Sequence, residues 1–258
     1  MKRHISLEGI QNFRDFGGYK AGDRAMKSGL LYRSAQHTFA SDSDLVALRD
    51  MNIKTVIDLR RPSERGKRPS RRWDAFGATL IEAGGEYESE VVWEDFIKTS
   101  DFSRDSFRSY LTDFYKTAPL APRHIELFSR YFAALAEIDG PLVVHCAGGK
   151  DRTGMICALT HTLAGVHEDD MMEDFLATNN HVRHHDIGPQ WAKDIGEEVG
   201  REPPKVENLV VAMSVEPNYL HTAFKTIRAE HGSIDGYFER ALGVDGKRRA
   251  AIEERILA

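Results

Sequence analysis

The sequence predicts an α/β fold, a mostly parallel central sheet flanked by helices with a helical C-terminal portion, and three observations carry that expectation. Short apolar runs at 53–59, 78–81 and 141–145 alternate with longer stretches of helical apolar spacing. The last of these runs passes through a glycine-rich turn directly into a helical pattern at 152–165. Beyond that point strand patterns stop, and the chain reads as one helix after another.

Taken in order, a Ser-Asp-Ser-Asp run opens a helix over 41–51, because side-chain oxygens there accept from unpaired N-terminal amides. The buried run at 53–59 ends at Arg60, and Arg61, Glu64, Arg65 and the basic residues of 67–72 read as a solvated, charged loop. Arg60 is set apart as a binding candidate, since open α/β sheets place ligands at the C-terminal ends of their strands. After a strand at 78–81 come helices over 102–115 and 124–136, parted by Pro119 and Pro122, which interrupt helical hydrogen bonding. Further helices are expected over 168–178, over 190–199 after a break at Gly188-Pro189, and over 216–231, 235–242 and 247–257. The stretch 178–214 reads equally as a mobile cover over a site or as an ordinary helical insertion. Residues 1–258 are expected to form one domain.

The chemistry is concentrated after the strand at 141–145. Cys146 and Arg152 flank Ala147-Gly148-Gly149-Lys150-Asp151, with Thr153 next. A helix N-terminus and a nearby guanidinium both favour the ionised form of a thiol, so Cys146 is expected to act as a thiolate. Gly148 and Gly149 let successive amides curl inward into an anion cradle. The planar fork of Arg152 suits two phosphoryl oxygens at once. Thr153 brings a hydroxyl towards the sulfur, and His145 supports the loop backbone rather than acting as a base. Ala147, Gly148, Gly149, Lys150 and Arg60 are thus the expected phosphate-binding residues, and Cys146, Arg152 and Thr153 expected catalytic ones. A nucleotide-binding loop does not match, because Val144 stands where its first glycine belongs and Asp151 follows the lysine. A sulfurtransferase loop is one residue shorter. Cys157, among Met155, Ile156 and Leu159, reads as core.

His-Cys, five residues, then Arg-Thr resembles the signature of the cysteine-dependent phosphatases. The spelling HCAGGKDRT is similar to that of atypical bacterial tyrosine/serine phosphatases and of myotubularin-type lipid phosphatases. Asn12-Phe13-Arg14-Asp15-Phe16-Gly17-Gly18-Tyr19, Leu31-Tyr32-Arg33-Ser34, Asp58-Leu59-Arg60, Tyr219-Leu220, Gly232-Ser233 and Gly236-Tyr237 extend the resemblance over nearly the whole chain. It implies the cysteine-phosphatase fold and two-step displacement through a cysteinyl phosphate, with no cofactor. Phosphorylated proteins or phosphoinositides are the expected substrates. Lys150 adds a charge that would suit a second phosphate. Many relatives take their general acid from a Trp-Pro-Asp loop, which none of Trp73, Trp93 and Trp191 begins. Two candidates remain: Asp151, favoured because the loop fixes its position, and Glu86, after the strand at 78–81. A buttress bound to Arg14 or Arg60 is the alternative role for Asp151. A phosphate-binding scaffold without turnover is the alternative function.

The remaining composition narrows the class. A formal net charge of −5 argues against a general nucleic-acid binder, and 41% hydrophobic residues are enough for a substantial core. Two cysteines make no disulfide framework. The basic start lacks an apolar stretch behind it, so cytoplasmic residence is expected, with signal-less export left open. His181 and His185 stand one helical turn apart near His184, but without acidic or cysteine partners at ligand spacing they read as surface or lid residues, and no metal is expected. Oligomeric state is not legible.

Overall fold

The computed structural model describes residues 3–85, 93–137 and 139–258, leaving aside the side chains of His184 and His185. Seven strands follow in chain order: β1 (Arg14–Asp15), β2 (Lys20–Ala21), β3 (Arg24–Ala25), β4 (Leu31–Ser34), β5 (Thr55–Asp58), β6 (Thr79–Glu82) and β7 (Leu142–His145). Strands β2 and β3 form a separate hairpin. The others build one sheet in the order β1-β4-β7-β5-β6, parallel except where β1 pairs with β4. The strand that feeds the cysteine loop is therefore central, with a parallel neighbour on either side.

Successive strand residues face opposite sides of a sheet, and two apolar layers follow. Leu142, Val144 and Ile57 join the larger core, while Val143 and Val56 join a smaller one with Ile10, Phe13, Leu45, Leu48 and Trp73. The smaller layer is covered by α1 (Asp42–Asp50), whose capping box is the expected one: Ser41 accepts from the Asp44 amide and Asp44 from the Ser41 amide. Asp44 also accepts from the amides of Glu8 and Gly9, at 2.8 and 2.7 Å, and so ties down the N-terminal segment.

Next along the chain are α2 (Pro62–Lys67), α3 (Trp93–Thr99), α4 (Arg104–Thr117), α5 (Pro122–Glu137), α6 (Asp151–Ala164) and α7 (Glu168–His181). After them come α8 (His184–Val199), α9 (Val206–Met213), α10 (Pro217–His231), α11 (Ile234–Arg240) and α12 (Gly246–Ile256). Helix α6 is buried on nearly every face, as a helix apolar all round must be. Gly154 lets α7 press against it, for a Cβ there would lie 2.8 Å from the Phe175 ring.

Two expectations are corrected. The run after Arg60 is not an open loop throughout. Pro62 at the first helical position and Glu64, accepting from the Arg61 amide at 2.8 Å, start α2. Nor does Gly188-Pro189 break the chain, since α8 runs from 184 to 199 with Pro189 inside it. The reason is tertiary. Gly188 has no side chain, and a Cβ there would come within 2.8 Å of Val206, so packing of α8 on α9 outweighs one lost backbone bond. Helices α3, α8 and α9 share a third core with the start of α4, including Ile97, Phe107, Ile195 and Leu209. The stretch 178–214 is thus packed against α3 and the start of α4. Among the described residues no helix is long and apolar enough to cross a membrane.

Replacing Gly154 by alanine is expected to destabilise the protein by about 1–3 kcal/mol, because the buried Phe175 ring must shift to admit the methyl group. Urea unfolding of the two proteins measures it.

Candidate active site

Strand register sets the site. Ser34 and Asp58 both pair with His145, so β4, β7 and β5 end level, and the segments at 35–37, 146–150 and 59–61 leave the sheet side by side. The cysteine loop is held entirely from outside. Its carbonyls are taken by donors of the surrounding structure: Ala147 by the Gln36 amide at 3.0 Å, Gly149 by Asn12 Nδ2 and Arg33 Nη2 at 2.8 Å each, and Gly148 by Asn12 Nδ2 at 3.3 Å. A peptide's N–H points opposite to its C=O. Carbonyls fixed outward therefore turn amides towards the loop's centre, and among the described residues no amide from Ala147 to Arg152 has a protein acceptor. Only Gly149 needs its glycine: its φ is +65°, and a Cβ would sit 2.3 Å from the Ser34 carbonyl oxygen.

Behind the loop lies a buried ionic cluster. Arg14 Nε and Arg33 Nη1 bind the two oxygens of Asp174, on α7, at 2.9 and 2.6 Å, and all three side chains are fully enclosed. Arg14 also donates to the Asn12 side chain that holds Gly149. Burial opposes ionisation of Asp174, but the two guanidinium groups hold its carboxyl well below the usual carboxylate range. Two cations against one anion leave an excess positive charge beneath the loop, and the Cys146 sulfur is within electrostatic reach of Arg33.

Arg152 is gripped at its end. Glu64, on α2, accepts from Nη1 and Nη2 at 2.6 and 2.8 Å, and the Leu59 carbonyl takes the second Nη1 hydrogen at 3.2 Å. Nε and one Nη2 hydrogen remain without a protein acceptor among the described residues, which is the side-on fork that would meet two phosphoryl oxygens. Burial works against the Glu64 carboxylate, yet Arg152 holds it well below its ordinary range. Asp151 opens α6, bound by Lys150 Nζ at 2.8 Å and by the Tyr115 hydroxyl at 3.0 Å, rather than by Arg14 or Arg60. Lys150 Nζ also reaches the Ser214 carbonyl at 3.3 Å, joining the loop to the end of α9. The residue before α6 supplies no side-chain cap, so the positive end of the helix is left to the loop. Thr153 Oγ1 is buried without a hydrogen-bond partner among the described residues.

Arg60 has another occupation than the expected one. Its five N–H donors are taken by Asp58, Gln36, Ser70 and the Arg68 carbonyl, and it is 1% exposed. Fully engaged, it braces the segment at 68–70 instead of facing a ligand. His145 stacks on His37 at 4.5 Å and approaches the Cys146 carbonyl at 3.4 Å. Burial pushes its pKa down to about 4 against the pull of Asp58, so the ring is neutral at pH 7. Cys157 lies in the larger core, its thiol pushed up to about 12 by burial. His181 stacks on His4 at 4.0 Å. Glu86 lies outside the described residues. Sequence reasoning missed Asn12, Arg33, Asp174, Glu64 and Tyr115. Asn12 and Arg33 stand in stretches that carry the resemblance, though no role was read for them, and Glu64 carries a local signal, three residues after Arg61 and two after Pro62.

The sequence model of the tyrosine phosphatase family matches residues 5–258. Over 248 residues the chain is 30% identical to a Cupriavidus necator protein named provisionally as a tyrosine-protein phosphatase, covering 94% of this chain and 86% of that one. It is 27% identical over 265 residues to the triple specificity protein phosphatase PtpB of Mycobacterium tuberculosis, covering 91% and 92%. Among solved structures, TpbA of P. aeruginosa is a distant likeness, with a TM-score of 0.32 and 16% identity over 76% of this chain and 96% of that one.

Two outcomes are expected. Between pH 6.5 and about 4 the unfolded chain binds a proton at His145 that the folded chain refuses, so stability falls as pH drops through that window. The depressed carboxyls of Asp174 and Glu64 contribute fully above their ordinary range near ~4 and lose that contribution on further acidification. Melting temperatures from pH 7 to pH 3 trace both. Glu64→Gln releases the end of Arg152 and is expected to lower kcat/KM for an aryl phosphate by roughly 10–100-fold in a protein that still folds.

Proposed function

We propose that this chain, which belongs to the tyrosine phosphatase family, cleaves phosphotyrosine and phosphoserine/threonine through a cysteinyl-phosphate intermediate. As a member of that family it is a phosphoric monoester hydrolase. The observation that carries the mechanism is the loop whose carbonyls at 147–149 are held outward beyond Cys146, beside an arginine with its side fork unengaged.

In the first step the Cys146 sulfur attacks phosphorus, the P–O bond to the leaving group breaks, and the departing oxygen takes a proton from a carboxylic acid. Amides 147–152 and Arg152 would hold the three equatorial oxygens throughout, acting as preorganised donors. In the second step water, deprotonated by the same carboxylate, attacks phosphorus and the sulfur leaves as thiolate. Thr153 Oγ1, buried and without a hydrogen-bond partner among the described residues, would receive that charge. Asp151 is the acid we favour, oriented by Tyr115 and Lys150, with Glu86 as the competing candidate.

The relative named for triple specificity supports a broad substrate range here, and phosphoinositides are the further class this reading adds to the two protein phosphoesters. Residues 1–258 would act as one unit, and a reducing cytoplasm would keep the two free thiols reduced.

Turnover of phosphotyrosine, phosphothreonine and a phosphoinositide tests the range, and variants test the chemistry. Cys146→Ser is expected to abolish hydrolysis while still binding substrate. Asp151→Asn is expected to remove the high-pH limb of kcat on phosphotyrosine, with Glu86→Gln leaving it in place. Activity retained by Cys146→Ser would overturn the mechanism, and the reverse pattern would move the acid to Glu86.

A further inference from the structure

We infer that Arg61 is the specificity residue of this site, reading a carboxylate that flanks phosphotyrosine in an acidic peptide, and that Glu94 occupies this position when no such peptide is bound. The inference rests on the phosphatase reading above. Arg60 and Arg61 leave β5 together but meet opposite fates. Every donor of Arg60 is taken and the side chain is enclosed, whereas the Arg61 side chain stays partly open, 18% exposed. Arg61 Nε lies 3.4 Å from Glu64 Oε2, the same oxygen that accepts from Arg152 Nη1 at 2.6 Å. A single carboxylate oxygen therefore separates this cation from the arginine that grips phosphate.

What holds Arg61 now is replaceable. Its Nη2 donates to Glu94 Oε2 at 2.8 Å, and Glu94, itself partly exposed, is shared with Lys67 at 4.0 Å. Such part-exposed pairs exchange readily for another carboxylate of like geometry. Glu94 thus stands where a substrate carboxylate would sit, presented by α3. The neighbouring surface is aromatic: Trp93 stacks on Trp191 at 5.2 Å and meets Tyr110, which stacks on Phe96 at 4.5 Å. The Tyr110 hydroxyl is within electrostatic reach of Arg61, Arg152 and Glu94 alike. An aromatic wall beside a cation favours a peptide with its side chains over a bare sugar phosphate.

The test uses the full chain and two phosphotyrosine peptides of equal length, one with aspartates on either side of the phosphotyrosine and one with asparagines. The wild type is expected to prefer the acidic peptide through KM. Arg61→Gln is expected to cut the ratio of the two kcat/KM values by about tenfold, the size of one charge-assisted contact, and Arg61→Lys to restore part of it. Glu94→Gln, which removes the competing carboxylate, is expected to raise that ratio. An unchanged ratio in Arg61→Gln, equal losses on both peptides, or a loss confined to an inositol bisphosphate assayed in parallel would overturn the inference. Failure of the wild type to turn over either peptide would instead overturn the phosphatase reading, and this inference with it.

Discussion

The structure depends on keeping three consecutive carbonyls, from Ala147 to Gly149, turned away from the centre of their own loop. A free glycine-rich segment would sample many arrangements and present oxygens as often as amides to an anion. Here Asn12, Arg33 and the Gln36 amide take the oxygens of 147–149 one by one, and the N–H groups have no orientation left except inward. Much of the N-terminal third of the chain serves this end. Strand β1 delivers Arg14, β4 delivers Arg33, and Asn12, at φ +56°, takes a left-handed conformation that asparagine tolerates well.

The charge arrangement follows from the same requirement. Arginines strong enough to hold peptide oxygens in the interior must themselves be neutralised, and Asp174 does so for two of them from a helix far along the chain. Breaking such a buried group by removing one partner typically costs ~3–5 kcal/mol, so the cluster is part of the fold as much as of the site. On the opposite side Glu64 performs the matching task for Arg152, fixing its orientation while leaving the fork that faces the loop. Preorganisation of this kind means that little needs to move when phosphate arrives.

How much was legible follows from distance along the chain. The loop 145–153 could be read because all its chemistry is contiguous, and β5, β7, α1, α4, α5 and α6 because each is long or apolar enough to show its period. Strands β1 to β3 have two residues each, too few for any alternation to appear. Asn12 meets Gly149 across 137 positions, and Arg33 meets Asp174 across 141, so no local pattern marks either pair. Arg60 looked like a ligand residue because it ends a strand, but Asp58, two residues earlier, returns along the same turn to bind it. In α8 the proline signal was real and was outweighed by packing against Val206, a contact the sequence alone does not show.

The most direct measurement is the rate at which Cys146 is alkylated by iodoacetamide as a function of pH, with and without inorganic phosphate, using buried Cys157 as the internal reference. A sulfur kept negative by the loop should label at pH 6, where an ordinary thiol is almost wholly protonated, and phosphate should protect it. Labelling that rises only above about pH 8, indifferent to phosphate, would contradict the account.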